Sequence, residues 1–151
     1  MNTFESMLDV ILTAIHAEKD AASFYLAMGD KIKSPVLKDG FRILAREEEL
    51  HLSILKEIYL DIPGQSKNRE FGTSSYTPAE FPPFTGGSLR EILEYALERE
   101  YEAIHLYTSL SRQGQNQEAM NTFLRLVSME EWHVHYLKRS LSHIEQFAHP
   151  S

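Results

Sequence analysis

The feature that most constrains this chain is an internal repeat with a constant offset of 82 positions. "AIHAEKDAASFY" at residues 14–25 aligns with "ALEREYEAIHLY" at 96–107, and "FRILAREEELHLSILK" at 41–56 aligns with "FLRLVSMEEWHVHYLK" at 123–138. No gap separates the two matches. Glu18 falls on Glu100, Tyr25 on Tyr107, Phe41 on Phe123, Glu48 on Glu130 and His51 on His133. Two unrelated amphipathic segments share apolar spacing by chance, but not polar residues in a common register. The repeat predicts two equivalent halves related by a pseudo-twofold axis, with equivalent residues facing one another across it.

Each half carries two stretches with apolar residues at three-and-four spacing, the mark of amphipathic helices. The first runs from about Thr3 or Ser6 to Ile32, with Met7, Leu8, Ile11, Ala14, Ile15, Ala22, Tyr25 and Leu26 on a broad stripe. The second opens with Ser34 as N-cap and Pro35 at the first helical position, and continues through Phe41, Leu44, Ala45, Leu52 and Leu55 to about Leu60. The third starts at Ser88 with a Ser88-x-x-Glu91 capping box and ends near Arg112. The fourth begins near Asn116, after a Gly114 suited to closing the third, and reaches about Phe147.

Short turns near Ser34 and Gly114 make each pair an antiparallel hairpin. Residues 61–87, rich in Pro, Gly, Ser and Thr, predict a long crossover, with Phe71, Tyr76, Phe81 and Phe84 packing onto the bundle side. Two hairpins joined by one long connection predict an all-α, ferritin-like four-helix bundle, a single domain over residues 1–151.

Composition removes several alternatives. The chain has no cysteine, which excludes disulfides, zinc–thiolate sites, iron–sulfur clusters and thiol catalysis within it. A net charge of −7 argues against a nucleic-acid partner. No apolar run approaches the ~18 residues of a membrane span. The start, "MNTFESMLDV", lacks the basic-then-apolar pattern of a secretory signal. The expectation is a soluble, cytoplasmic protein.

The matched polar residues are the candidate site. Glu48 and His51 are three apart and reach one point from one helix, as do Glu130 and His133. Glu18 lies among Ile11, Ile15, Ala22 and Tyr25, and Glu100 among Leu93, Leu97, Ile104 and Tyr107. A carboxylate on an apolar face is costly to bury unless paired, hydrogen-bonded or metal-bound. Two divalent cations would neutralise four such carboxylates, with both imidazoles neutral. One Glu from each of two helices plus Glu-x-x-His from each of the others is the di-iron or di-manganese pattern. Mixed oxygen and nitrogen donors favour those metals over magnesium or calcium.

Other residues read as bystanders. A third Glu-x-x-His, Glu102 with His105, lies on the opposite face from Glu100, and its repeat partners are Asp20 and Ser23. His16 and His135 have no matching imidazole and read as surface or supporting residues. Glu47 corresponds to Met129 and Glu49 to Glu131, so both glutamates read as flank. Glu48→Ala is expected to lose metal and Glu47→Ala to keep it. Tyr25 and Tyr107 are candidates to hydrogen-bond the carboxylates.

With Glu18 in "AEKDAASFY", Glu48 and His51 in "EELH", Glu100 in "REYEAIHLY", and Glu130 and His133 in "EEWH", the chain resembles the ferritin-like superfamily, and within it the rubrerythrin-type di-iron proteins. The resemblance covers the four helices. It implies two iron ions (manganese is the alternative), and reduction of peroxide or dioxygen. It also implies Glu48 and Glu130 as bridging or terminal ligands, and His51 and His133 as terminal ones. Without the Cys-x-x-Cys pairs of a rubredoxin domain, electrons must come from an external donor protein. A homodimer or higher oligomer is expected.

One departure bears on the reaction. Rubrerythrins tend to carry a further glutamate one turn from the third helix's ligand, where this chain has Leu97 and Ala103, with Glu98 and Glu102 facing away. The centre is therefore more symmetric, nearer a ferritin or oxidase pattern. The alternative function is an iron-binding, ferroxidase or storage protein without reductive turnover; an oxygenase and a helical interaction module are more distant readings.

Overall fold

The computed structural model describes residues 3–65, 71, 88–113 and 116–148. Four helices account for nearly all of them: α1 (Thr3–Lys31), α2 (Pro35–Asp61), α3 (Leu89–Arg112) and α4 (Gln117–Ala148). Every boundary falls within a residue or two of the expected one, because the local signals are realised in the backbone. Ser34 Oγ accepts from the Leu37 amide at 3.4 Å, with Pro35 opening α2. Ser88 Oγ accepts from the Glu91 amide at 3.2 Å, and Asn116 Oδ1 from the Ala119 amide at 2.8 Å. Each cap satisfies a donor that the first helical turn leaves free.

The bundle is ferritin-like. α1 packs along α2 and α3 along α4, while α1 against α3 and α2 against α4 close the square. The core divides into two apolar clusters. One contains Tyr25, Met28, Phe41, Leu44, Leu93, Ala96 and Leu137. The other contains Tyr107, Leu110, Phe123, Leu126, Ile11, Ala14 and Leu55. These sets are exchanged by the 82-residue offset, member for member. The internal symmetry is thus one of packing as well as of sequence.

The α1 stripe differs in detail from the expected one. Leu26 is half-exposed, and Phe24 and Met28 are buried instead. Tyr25 and Met28, three apart, set the buried face, and Leu26 lies ~100° past Tyr25 toward solvent. Phe24 is drawn in by the aromatic rings of Tyr25 and Tyr95, with centroids at 5.4 and 5.0 Å.

Of the crossover, Phe71 packs on the bundle side as expected, edge-on to Tyr59 at 5.4 Å with Lys56 Nζ 5.5 Å from its ring centre. Tyr76, Phe81, Phe84 and Gly114, the last expected to close the third helix, lie outside the described residues. Gly40 has a clear steric role. A Cβ there would overlap the end of the Tyr136 ring, so the α4 tyrosine reaches α2 in the space that a side chain at this position would fill.

Candidate metal centre

The two apolar clusters leave room between them for six polar side chains, and these are the six that the repeat matched. Glu18, Glu48, His51, Glu100, Glu130 and His133 are all at most 2% exposed. Each sits on the inward stripe of its helix. Glu18 is one turn from Ile15 and Ala22, and Glu48 is one turn from Leu44 and Ala45, all buried. Helical spacing alone carries the carboxylates inside.

The donor atoms fall into two overlapping groups. Glu18, Glu48, His51 and Glu130 each offer one donor atom, all within 4.8 Å of one another. So do Glu48, Glu100, Glu130 and His133. Glu48 and Glu130 belong to both groups, one from each hairpin. The imidazoles enter by the same nitrogen. His51 Nδ1 lies 2.5 Å from Glu130 Oε1 and 3.7 Å from Glu48 Oε1. His133 Nδ1 lies 2.8 Å from Glu48 Oε1 and 3.4 Å from Glu100 Oε2. The two rings stack with centroids 5.7 Å apart, one on each side of the axis.

Tyr25 and Tyr107 close the arrangement crosswise. Tyr25 Oη on α1 donates to Glu100 Oε1 on α3 at 2.5 Å, and Tyr107 Oη on α3 donates to Glu18 Oε1 on α1. Each tyrosine serves the other half's glutamate, not its own.

Electrostatics shows why such a cluster calls for cations. Burial raises the Glu18 carboxyl to about 7, with the nearby Glu130 adding to the shift. Burial, then repulsion from Glu18, Glu100 and Glu130, holds Glu48 well above the usual carboxylate range; burial and Glu130 do the same to Glu100. Burial would raise Glu130 too, but Glu100, His133 and His51 direct protons at it and hold it below the normal range. Burial opposes charge on His133, yet Glu100 and Glu130 outweigh it and push the imidazole up to about 11. On its own the cluster retains protons to limit its negative charge. A pair of divalent cations does the same task with donors already converged, so the donor set fits a dinuclear metal site.

The structure corrects the reading of Glu47. Its carboxylate does not face away: Glu47 Oε2 contacts His133 Nε2, the outward nitrogen of that ring. Glu47 lies ~100° round α2 from Glu48, but its long side chain spans the gap to α4. The available signal was the mismatch in the repeat, since Met129 occupies the equivalent place on α4. Glu49 and Glu131 are exposed, as expected for flank. Glu102 and His105 are exposed, and Glu102 pairs with Arg99 at 3.0 Å. His135 is exposed beside Trp132, at 6.1 Å between rings.

A cavity of about 260 Å³ opens between α1 and α3. Its lining includes His16, Ala17, Phe24, Ala103 and Leu106, and it reaches the buried Glu18, Glu48 and Glu100. His16 is therefore exposed at the cavity, not at the centre. Sequence reading had no means to find this opening, which depends on small side chains from two helices meeting.

Fold and centre together define a ferritin-like protein with a carboxylate–histidine site for a metal pair. The chain belongs to the rubrerythrin family, whose model matches residues 9–141. Among curated proteins none matches. Solved structures share the fold. A ferritin-like, diiron-carboxylate protein from Bacillus anthracis is 22% identical with TM-score 0.76, covering 93% of this chain and 99% of that one. A Rhodobacter capsulatus bacterioferritin with a metal-free dinuclear site is 20% identical with TM-score 0.77, covering 94% and 87%. The Anabaena manganese catalase KatB is 17% identical with TM-score 0.78, covering 100% and 77%. No helix among the described residues is long and apolar enough to cross a membrane.

Proposed function

We propose that this chain is a non-haem di-iron oxidoreductase that reduces peroxide or dioxygen with electrons from an external donor protein. The observation that carries the reading is the pair of buried four-donor groups sharing Glu48 and Glu130, with a cavity leading to them. Glu18 and His51 would be terminal ligands of one metal and Glu100 and His133 of the other, with Glu48 and Glu130 bridging. Two iron(II) ions would supply the two electrons that, with two protons, take peroxide to two waters.

The protein's own part is positional. Apolar clusters on both sides exclude bulk water, so the carboxylates feel the metals at low dielectric. Tyr25 and Tyr107 fix the orientation of Glu100 and Glu18 by donating to them. The small cavity admits a diatomic or peroxide-sized oxidant past Ala17 and Ala103. Manganese fits the same donor set, and the manganese catalase among the similar folds supports it as the alternative metal. A homodimer or higher oligomer is supported by exposed Val36, Ile43 and Leu50, at seven-residue intervals on α2, and by Trp132 on α4. A cytoplasmic location goes with this reading.

The test is stopped-flow mixing of the anaerobic iron(II) protein with peroxide and with dioxygen. Oxidation much faster than that of iron(II) in buffer is expected for at least one oxidant; no acceleration overturns the reading. A second reading, iron binding with ferroxidase chemistry and no reductive turnover, is favoured by Leu97 and Ala103 standing where a further carboxylate would otherwise sit. It predicts many irons per chain in a large hollow particle, which light scattering during iron titration would reveal.

A further inference from the structure

The six central residues obey the pseudo-twofold, but the groups behind the two imidazoles do not. His133 turns Nδ1 inward to Glu48, Glu100 and Glu130, and its Nε2 meets the Glu47 carboxylate. His51 turns Nδ1 inward in the same way, toward Glu130, Glu48 and Glu18. Among the described residues, both of its nitrogens are buried without a hydrogen-bond partner, but Nδ1 still faces the carboxylates, whereas no carboxylate stands behind Nε2. The position equivalent to Glu47 is Met129, a thioether half-buried against the apolar cluster. A thioether is at best a weak acceptor.

An imidazole that donates its distal N–H to a carboxylate is held in one tautomer and orientation, and its ligating nitrogen becomes the stronger base. An imidazole with no acceptor has neither advantage, and its buried N–H remains an uncompensated cost. We propose that Glu47 is a positioning residue for His133, and that its absence opposite His51 makes the two metal positions unequal. The position built from Glu48, Glu100, Glu130 and His133 fills first and holds its ion more tightly. The one built from Glu18, Glu48, His51 and Glu130 fills second and exchanges faster. The pair is thus ordered by one residue that the symmetry of the chain does not repeat. Glu47 is well suited to the role, since its half-exposed side chain reaches from α2 to the outward nitrogen of His133 on α4.

This inference rests on the dinuclear reading above, and one experiment separates the two. The full chain is titrated anaerobically with cobalt(II), followed by its visible absorption and by calorimetry, with far-ultraviolet circular dichroism as a check on folding. Wild type is expected to take two ions in two resolved steps. Glu47→Ala is expected to weaken the first step by roughly 10- to 100-fold while leaving the second step and the total of two unchanged. Glu47→Gln, whose amide oxygen still accepts, is expected to recover part of that loss. Met129→Glu is expected to tighten the second step and leave the first alone. Two ions binding to wild type in one indistinguishable step would overturn the inference and leave the dinuclear reading standing. So would a Glu47→Ala titration that changes neither step, or changes both equally. A wild type that binds no cobalt would remove both.

Discussion

Tyr25 on α1 donates its hydroxyl to Glu100 on α3 at 2.5 Å, so the side chain that steadies a carboxylate of the second hairpin belongs to the first. Tyr107 returns the contact to Glu18. Neither hairpin completes its own half of the centre. Burial and the adjacent carboxylates hold both phenols well above their ordinary pKa, so each remains a donor across the accessible pH range. Tyr25→Phe and Tyr107→Phe are therefore expected to fold normally and to weaken metal binding by about 10-fold or more. Anaerobic titration with iron(II) measures the loss, and unchanged affinity in both variants would show that the hydroxyls are incidental.

Sharing of Glu48 and Glu130 by the two donor groups makes the stoichiometry of substitution unequal. Glu48→Ala is expected to abolish binding of the pair, whereas Glu18→Ala, which touches one group only, is expected to retain about one metal per chain. Metal analysis after anaerobic reconstitution and desalting decides this. Equal losses from the two variants would contradict the bridging assignment.

The metal-free protein should become less stable as pH rises through neutrality. Glu18, Glu48 and Glu100 have raised folded-state values, so the fold prefers their protonated forms. Their unfolded value is near 4.5, and Glu18 reaches about 7 when folded. Stability associated with Glu18 is then full below about pH 4.5 and declines as pH rises toward and beyond 7, by an amount on the order of a few kcal/mol. Glu130 acts oppositely but only in acid, whereas His133, raised from 6.5 to about 11, loses its stabilisation across that interval and so reinforces the fall above neutrality. Thermal melts of the metal-free protein between pH 5 and 8 should show a falling Tm. Adding metal should flatten the trend, since cations replace the protons.

Gly40→Ala should destabilise the bundle by roughly 1–3 kcal/mol, because the new methyl group would overlap Tyr136 on α4. Urea unfolding measures it. Tyr136→Leu in the same chain should recover part of the loss, whereas a purely helical effect of Gly→Ala would be stabilising and would need no partner.

Ala103→Phe, in the cavity between α1 and α3, should slow oxidation of the loaded centre by peroxide or dioxygen and leave metal content unchanged. Stopped-flow rates with the two oxidants are the measurement. An unaltered rate would mean that the oxidant enters elsewhere.

Much of this was legible in the sequence because the helices are long and their signals local. Ser34, Pro35, Ser88 and Asn116 announce helix starts by chemistry that operates within one turn. The six central residues were legible because a repeat tests polar identity as well as apolar period. Glu47 was not, since its role depends on how far one side chain reaches between helices, and periodicity assigns only the direction of a Cβ. Phe24 and Leu26 were exchanged for a related reason. Phe24 is drawn in by Tyr95 on a helix that begins more than sixty residues later, which the spacing within α1 does not announce, while Leu26 sits just past the edge of the buried face. The cavity, made of what Ala17 and Ala103 lack, leaves no positive trace in the chain.

The exchange of the two apolar clusters under one offset has a consequence for how such a protein can change. A self-associating pair of identical hairpins would give the same bundle, but every substitution in it would appear twice. Its two metals would be forced to remain alike. Once both hairpins are encoded in tandem, each position can drift independently of its twin. Among the many places where the copies now disagree, Glu47 against Met129 and Tyr136 against Ile54 belong to the centre and the packing described above.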